Sequence, residues 1–229
     1  MYTLTQQTCP VAALKSGSMI MPDTRPIVAI VDDDISIREA LEPLLNLSGW
    51  RVCSFERASA FLEWEPPASP SCLLLDVSLP DLNGLDIQAR IAKECPETPI
   101  IFLSGYGDVP MTVRAMKAGA VEFLTKPFDD EVLLAAVERA IQLSKMLAAE
   151  RSNRTTLESL YATLSPRERE VMHLIVAGLL NKQVGGELGI SEITVKAHRG
   201  RLMSKMKAAA FADLVKMSER LGLDTRSRR

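Results

Sequence analysis

Two features that this sequence lacks exclude whole classes of protein. No apolar run in its 229 residues approaches the roughly 20 residues that a membrane-spanning helix needs, so we expect no membrane partner. Residues 1–24 carry one lysine, no sustained apolar stretch and no small-residue cleavage pattern, and are therefore unlike a secretory signal. We expect the protein to act in the cytoplasm.

Cysteine is also scarce. The four cysteines are irregularly spaced and include no Cys-x-x-Cys pair, so neither a disulfide framework nor a zinc site is predicted. We expect ordinary core or surface roles for all of them, namely Cys9, Cys53, Cys72 and Cys95.

The composition is that of a globular protein large enough for two domains. Apolar residues make up 47% and charged residues 24% of the chain, and a domain typically takes roughly 100–200 residues. The net charge of -2 conceals an uneven distribution. Residues 25–147 hold 11 Lys and Arg against 19 Asp and Glu, whereas residues 148–229 hold 15 against 9. An acidic half that could bind a metal is thus joined to a basic half that could bind a polyanion.

The acidic half alternates short apolar runs with helix-like segments. Continuous apolar strands that alternate with helices are typical of a parallel sheet covered on both faces, which predicts a doubly wound α/β domain. In such sheets the ligand binds at the carboxyl ends of the strands. The five runs lie at residues 27–31, 52–55, 72–75, 100–103 and 121–124.

Polar residues stand where these runs end. Three carboxylates converging at one sheet edge would repel each other unless a hard cation joined them, and few oxygen ligands favour Mg²⁺. An aspartate can also attack phosphorus to form an acyl phosphate. Asp34 is predicted to cap the following helix. The residues concerned are Asp32, Asp33, Asp34, Asp76, Ser104 and Lys126.

Residues 26–145 resemble the receiver domain of two-component response regulators. The resemblance rests on the motifs VDDD, LLLDVSLPDLNGLD and PIIFLSGYGDVPMTVRAMKAGAVEFLTKPFDD and on their spacing. It implies that Asp76 is the phosphoacceptor. It also implies that Asp32 and Asp33 are carboxylate ligands of Mg²⁺, with Asp76 and the backbone carbonyl of Ser78 completing the metal site.

The same resemblance implies a switch that responds to the phosphoryl group. Ser104 would be the switch hydroxyl, where the family more often has threonine, and Phe123 the switch aromatic. Lys126 would contact the phosphoryl group and form a cis peptide with Pro127. We expect Tyr106 to cover the acyl phosphate; the alternative is that it turns outward on its glycine-flanked loop and contacts a partner. Ser78 offers no carboxylate or amide to align water, so we expect slow dephosphorylation.

The basic half has the pattern of a helical domain. A helix that begins at Asp130 is expected to run to about residue 149 and into a polar linker. Residues 165–168 (Ser-Pro-Arg-Glu) fit an N-cap, a proline at the first helical position and a capping-box glutamate. Short helices at 181–188 and 191–207 with a glycine turn between them predict a helix-turn-helix, and residues 211–221 supply a last helix.

This half resembles the LuxR-type DNA-binding domain. The motifs are LSPREREV, NKQVGGELGIS and TVKAHRGRLMSKM, and the domain order is that of FixJ/NarL-type regulators. Two departures from the family pattern are the Gly185-Gly186 pair and Gly200 inside the second helix. By position, Lys196, Ala197 and Gly200 are expected to face base edges. A second group is expected to touch the DNA backbone or to buttress the helix, namely Lys182, Ser191, Thr194, His198 and Arg199.

We therefore predict an α/β protein with a five-stranded doubly wound parallel receiver domain and a C-terminal all-α four-helix helix-turn-helix domain. The predicted limits are a disordered extension at 1–24, the receiver at 25–145, a helical linker at 146–159 and the DNA-binding domain at 160–229.

The resemblance implies a regulator, not an enzyme. A sensor histidine kinase would phosphorylate Asp76, and the protein would then dimerise, bind promoter DNA and act on RNA polymerase. One alternative is a Mg²⁺-dependent phosphohydrolase with an aspartyl-phosphate intermediate, although such enzymes typically carry an acid two residues after the nucleophile, where this chain has Ser78. Another is a DNA-binding protein that works without phosphorylation, against which the complete acidic site argues.

Overall fold

The computed structural model describes residues 24–66, 69–105 and 109–223. The chain divides into two compact units, Met1–Ala148 and Ala149–Arg229. The extension that the sequence predicts to be disordered lies outside the described residues, apart from residue 24. Within the described ranges, no helix combines the length and the apolar character needed to cross a membrane.

The first unit contains a five-stranded sheet in which every neighbouring pair of strands is parallel. The strand order is β2-β1-β3-β4-β5, so the chain crosses over between β2 and β3 and winds in both directions from β1. This confirms the predicted doubly wound fold. The strands are β1 (Ile27–Val31), β2 (Arg51–Phe55), β3 (Cys72–Asp76), β4 (Ile100–Ser104) and β5 (Glu122–Thr125).

Helices cover both faces of this sheet, and each face has its own core. Ala29 and Val31 of β1 join one cluster, while Val28 and Ile30 join the other. Because both faces are buried, the strands read as continuous apolar runs in the sequence. The helices of this part of the chain are α1 (Ile35–Leu47), α2 (Ala58–Leu62), α3 (Gly84–Glu94), α4 (Val109–Lys117) and α5 (Asp130–Ala162).

Helix α5 is longer than the periodicity of its apolar residues predicts. Its apolar spacing supports a helix to about residue 149, but the helix ends at Ala162. The polar stretch between contains no proline or glycine, the residues that most strongly interrupt a helix. Leu157 is buried in the core of the second unit, which holds the last turns of α5.

The second unit is all helical, as predicted. Ser165 accepts a hydrogen bond from the backbone NH of Glu168, and Glu168 accepts one from the backbone NH of Ser165, so the predicted capping box is present. Gly189 adopts a left-handed conformation (φ 65°) that ends the first helix of the helix-turn-helix. The helices are α6 (Pro166–Val176), α7 (Asn181–Leu188), α8 (Glu192–Met206) and α9 (Phe211–Arg220).

The two adjacent glycines of α7 have different surroundings. A Cβ atom at Gly185 would lie 2.7 Å from the carbonyl oxygen of Ile190, closer than such atoms approach. A Cβ atom at Gly186 would meet nothing within 4 Å. Gly185 therefore lets the turn after α7 pack against the helix. Gly186 has no described neighbour close enough to exclude a larger side chain.

Alanine at these two positions will have opposite effects on stability. Gly186→Ala should stabilise α7 by about 0.5–1 kcal/mol because glycine is a poor helix former. Gly185→Ala should destabilise the second unit by roughly 1–3 kcal/mol because the carbonyl of Ile190 must move. Hydrogen exchange of the amides of α6, α7 and α8 measures both changes in the intact protein. Equal effects of the two substitutions would contradict this interpretation.

Candidate functional site

Three carboxylates meet at the carboxyl edge of the sheet. Asp32 directly follows β1 and is fully buried, Asp33 beside it is exposed, and Asp76 ends the adjacent strand β3 with only 6% of its surface exposed. One ligand oxygen from each lies within 4.8 Å of the others. The described part of the chain thus brings together the three aspartates that the sequence predicted as metal ligands.

Lys126 reaches this cluster from the end of β5. Its Nζ atom lies 2.6 Å from Asp32 Oδ2 and 3.0 Å from Asp76 Oδ2. The peptide bond between Lys126 and Pro127 is cis, as the resemblance implies, and the backbone NH of Lys126 donates to the carbonyl of Ser104 at 2.7 Å. The lysine is therefore held at both its backbone and its ammonium group.

Burial and charge act against each other in this site. Burial raises the pKa of Asp32, although the ammonium group of Lys126 favours its charged form. Burial alone would lower the pKa of Lys126, but its hydrogen bonds and attraction to Asp32 and Asp76 outweigh this and raise that pKa. One lysine balances only one of three carboxylates. The remaining negative charge and the all-oxygen ligand set fit a hard divalent cation such as Mg²⁺.

The loop after β3 is fixed against Asp76. The backbone NH of Ser78 donates to Asp76 Oδ1 at 3.1 Å, which leaves Asp76 with one oxygen bound by an amide and the other by Lys126. Gly84 begins α3 so close to β3 that an added Cβ would lie 3.0 Å from the carbonyl oxygen of Asp76 and 3.1 Å from the ring of Phe102. A side chain at this position would therefore force the carbonyl of Asp76 or the ring of Phe102 to shift.

The two predicted switch residues lie on β4 and β5, the strands that follow β3 across the sheet. Ser104 ends β4 and is 2% exposed. In the β3-β4 register Asp76 pairs with Leu103, so Ser104 lies one residue further along β4. Phe123 of β5 is half-buried, and its ring centroid lies 6.1 Å from that of Phe102. Tyr106, which the sequence predicts to cover the acyl phosphate, lies outside the described residues.

Helix α8 presents one buried and one exposed face. Val195, Leu202 and Met206 are fully buried in the core of the second unit. The three residues that the sequence predicts to face base edges, Lys196, Ala197 and Gly200, are all exposed. Lys196 makes an ion pair with Glu192 at 3.0 Å, an arrangement that a phosphate or base could displace because both side chains are exposed.

Three members of the second group of predicted DNA contacts, Ser191, Thr194 and Arg199, have structural partners. The hydroxyl of Ser191 caps α8 by accepting from the backbone NH of Thr194 at 3.1 Å, and the two hydroxyls lie 2.8 Å apart. Arg199 donates to Asn181 at 3.3 Å and stacks over the ring of Phe211 at 5.0 Å. His198 is half-buried and Lys182 of α7 is exposed.

The ammonium group of Lys205 has partners within the second unit, although 39% of its side chain is exposed. Its Nζ atom donates to Glu168 at 2.7 Å and to the carbonyl of Thr163 at 3.2 Å. Lys205 lowers the pKa of the Glu168 carboxyl, which also accepts from the backbone NH of Ser165. This positive charge therefore stabilises the capping box of α6.

Two residues that support the carboxylate site were missed by the sequence analysis. Arg38 of α1 donates to the carbonyl of Asp32 at 2.6 Å. Asp81 caps α2 from a distance by accepting from the backbone NH groups of Ser59 (2.9 Å) and Ala58 (3.3 Å), which ties the loop after β3 to that helix. A motif search gives no signal for Asp81 because its partners lie more than 20 residues upstream in the chain.

Comparisons with known proteins agree with this geometry. Residues 28–138 match the family described as "Response regulator receiver domain", and residues 162–218 match "Bacterial regulatory proteins, luxR family". Nodulation protein W of Bradyrhizobium diazoefficiens is 50% identical over 207 residues, which cover 90% of this chain and 91% of that protein. The chain belongs to the two-component response regulators.

Two further relatives of this response regulator share both of its domains. Response regulator protein TmoT of Ectopseudomonas mendocina is 44% identical over 90% of this chain and 93% of that protein. The solved structure of the response regulator StyR superposes with a TM-score of 0.75 at 44% identity, covering 86% of this chain and 99% of that one. The prediction of a receiver domain joined to a LuxR-type helix-turn-helix domain, and of a DNA-binding transcriptional regulator, is confirmed.

Proposed function

We propose that this response regulator accepts a phosphoryl group on Asp76 from a sensor histidine kinase, forms a homodimer, and binds promoter DNA through α8. The observation that carries the proposal is the convergence of Asp32, Asp33, Asp76 and Lys126 at one sheet edge. We further propose that the protein acts in the cytoplasm on RNA polymerase, and that its output is DNA binding, not catalysis.

The domain limits form part of the proposal. The receiver would occupy residues 25–145 and the DNA-binding domain residues 160–229. Residues 146–159, between them, belong to α5.

The carboxylate site supports phosphoryl transfer to Asp76. Asp32, Asp33, Asp76 and the carbonyl of Ser78 would hold Mg²⁺, which supplies charge neutralisation for the phosphoryl oxygens. A carboxylate oxygen of Asp76 forms a bond to phosphorus as the bond to the donor nitrogen breaks. Lys126 already lies 3.0 Å from Asp76 and can contact the incoming phosphoryl group.

The switch residues can convert this local charge into a change of surface. Ser104 is buried beside Asp76 and offers a hydroxyl to a phosphoryl oxygen. Movement of Ser104 toward the phosphoryl group would free the space into which Phe123 turns from its half-buried position. The surface formed by β5 and the neighbouring helices would then repack, which makes a two-state switch with an electrostatic trigger.

The DNA-binding role of α8 is tested by removing one exposed positive charge. Lys196→Ala should weaken binding and relax specificity at one base position by roughly 1–3 kcal/mol if the lysine contacts a base. Arg154→Ala is a matched control, because Arg154 is similarly exposed and makes a similar ion pair with Glu158 at 3.0 Å. Fluorescence anisotropy with DNA selected from a random-sequence library measures both affinities. Equal binding by Lys196→Ala and the wild type would contradict the proposed DNA-binding face.

A further inference from the structure

The exposed face of α8 carries an isoleucine that the core does not use. Ile193 lies in the first turn of the helix with 79% of its surface exposed. It packs into none of the core clusters formed by the described residues. Its neighbours Glu192 and Thr194 are polar, and among the residues of α8, all of which are described, Ile193 is the one large apolar side chain that is exposed.

The position of Ile193 on the helix is set by the helical repeat. With 3.6 residues per turn, Ile193, Ala197 and Gly200 fall along one line of α8. Val195 and Leu202, which are fully buried, lie on the opposite side. Ile193 therefore belongs to the same face as the residues proposed to meet base edges, and not to the edge of the core.

The side chains along this line become smaller toward the carboxyl end of the helix. Ala197 carries only a methyl group, and Gly200 carries none and has open space around the position of a Cβ. Ile193 is thus the longest apolar group on the line. It stands at the amino-terminal end of the second helix of a helix-turn-helix, the part that contacts base edges in this motif.

Cations flank the apolar line on both sides. Lys196 lies on one side of it and Arg201 on the other, and both are exposed. Residues 148–229 carry 15 Lys and Arg against 9 Asp and Glu, so the surroundings favour a polyanion over a basic or apolar protein partner. Between the two phosphate backbones, the major groove offers one apolar group to a side chain, the C5-methyl of thymine.

We propose that Ile193 packs against a thymine C5-methyl group in the major groove and makes the protein prefer an A·T base pair at that position of each half-site. This proposal rests on the proposed binding of DNA by α8. It adds a specificity-determining residue that recognises DNA by apolar contact, beside the polar contact offered by Lys196.

The test removes the methyl group and the side chain separately. Full-length protein phosphorylated with acetyl phosphate and Mg²⁺ first selects its site from a random-sequence duplex library. Each thymine of the selected site is then replaced by deoxyuridine, which lacks only the C5-methyl. At one position of each half-site the wild type should bind about fourfold more weakly, the value expected for one buried methyl group. Ile193→Ser should lose this sensitivity.

Two further variants make the result decisive. Leu47→Ser removes a side chain of α1 that is 89% exposed, and it should keep the sensitivity to deoxyuridine. Lys196→Ala should bind more weakly but also keep it. If Ile193→Ser remains as sensitive as the wild type, or no thymine matters, this inference is overturned while DNA binding by α8 stands. If neither Lys196→Ala nor Ile193→Ser differs from the wild type, the proposed DNA-binding face fails as well.

Discussion

Asp76→Asn will abolish phosphorylation of this protein. Asp76 ends β3 at the position that the receiver motif gives to the phosphoacceptor, and its two oxygens accept hydrogen bonds from Lys126 and from the backbone of Ser78. An asparagine amide in its place cannot form an acyl phosphate. Incubation with Mg²⁺ and acetyl phosphate should add one phosphoryl group to the wild type by intact-mass spectrometry and none to the variant. Asp86→Asn, an exposed aspartate in the first turn of α3, should be labelled normally.

Substitutions of the adjacent aspartates Asp33 and Asp34 distinguish metal binding from helix capping. Asp33 contributes an oxygen to the carboxylate cluster, whereas Asp34 caps α1 by accepting from the backbone NH of Ser36 at 2.8 Å. Asp33→Asn should block labelling because it weakens Mg²⁺ binding. Asp34→Asn should be labelled as well as the wild type, because asparagine is an equally good N-cap. Labelling that persists in Asp76→Asn would contradict the assignment of Asp76 as the phosphoacceptor. Equal loss of labelling in Asp33→Asn and Asp34→Asn would contradict the assignment of Asp33 as a metal ligand.

The same experiment separates a regulator from a phosphohydrolase. A phosphohydrolase with an aspartyl-phosphate intermediate would release inorganic phosphate many times over for each molecule of protein. In this chain the residue two positions after Asp76 is Ser78, which has a hydroxyl and no acidic group. We expect released phosphate to stay close to the amount of protein that becomes labelled. If each protein molecule released inorganic phosphate many times, and each release were as fast as labelling, the phosphohydrolase would be favoured.

The strands and the carboxylate site could be predicted because their signals are local. All five strands lie within one residue of the apolar runs. The signal is strongest for β1, β3 and β4, which are buried along their whole length and are therefore almost entirely apolar. The convergence of Asp32 and Asp76 follows from parallel strands, whose carboxyl ends meet at one edge of the sheet. Helix α7 was predicted with its observed bounds because Gly189 ends it in a left-handed conformation.

Features that depend on distant partners could not be predicted. Lys205 looks like one more cation of α8, but it bonds to Glu168, which lies 37 positions earlier in the chain. Arg199 similarly packs on Phe211 of the next helix. The predicted helical linker ends at residue 159, three residues before the end of α5 at Ala162, and no periodic signal marks the observed end because it depends on the packing of Leu157 in the core of the second unit. Charge alone therefore overestimates the number of side chains available to DNA.

Phosphorylation should tighten binding to a promoter with two half-sites by roughly 100-fold or more. A single output domain contacts one half-site, and its affinity is limited by the few exposed cations of α7 and α8. In the proposed phosphorylated homodimer, the second domain would bind at an effective concentration of about millimolar, so the pair would gain roughly 10²–10⁴ in affinity without a new contact. The salt dependence should steepen too, because about twice as many phosphates are neutralised.

The design of the DNA separates pairing from a change within one domain. Binding is measured by anisotropy, and the oligomeric state by sedimentation, before and after treatment with acetyl phosphate. Scrambling one half-site should remove the gain, and so should inserting about five base pairs, which turns the half-sites to opposite sides of the duplex. Asp76→Asn should show no gain on any DNA. If the phosphorylated protein stays monomeric and binds the intact and the scrambled DNA equally well, activation by pairing is refuted. A monomer has no second domain that could produce the gain.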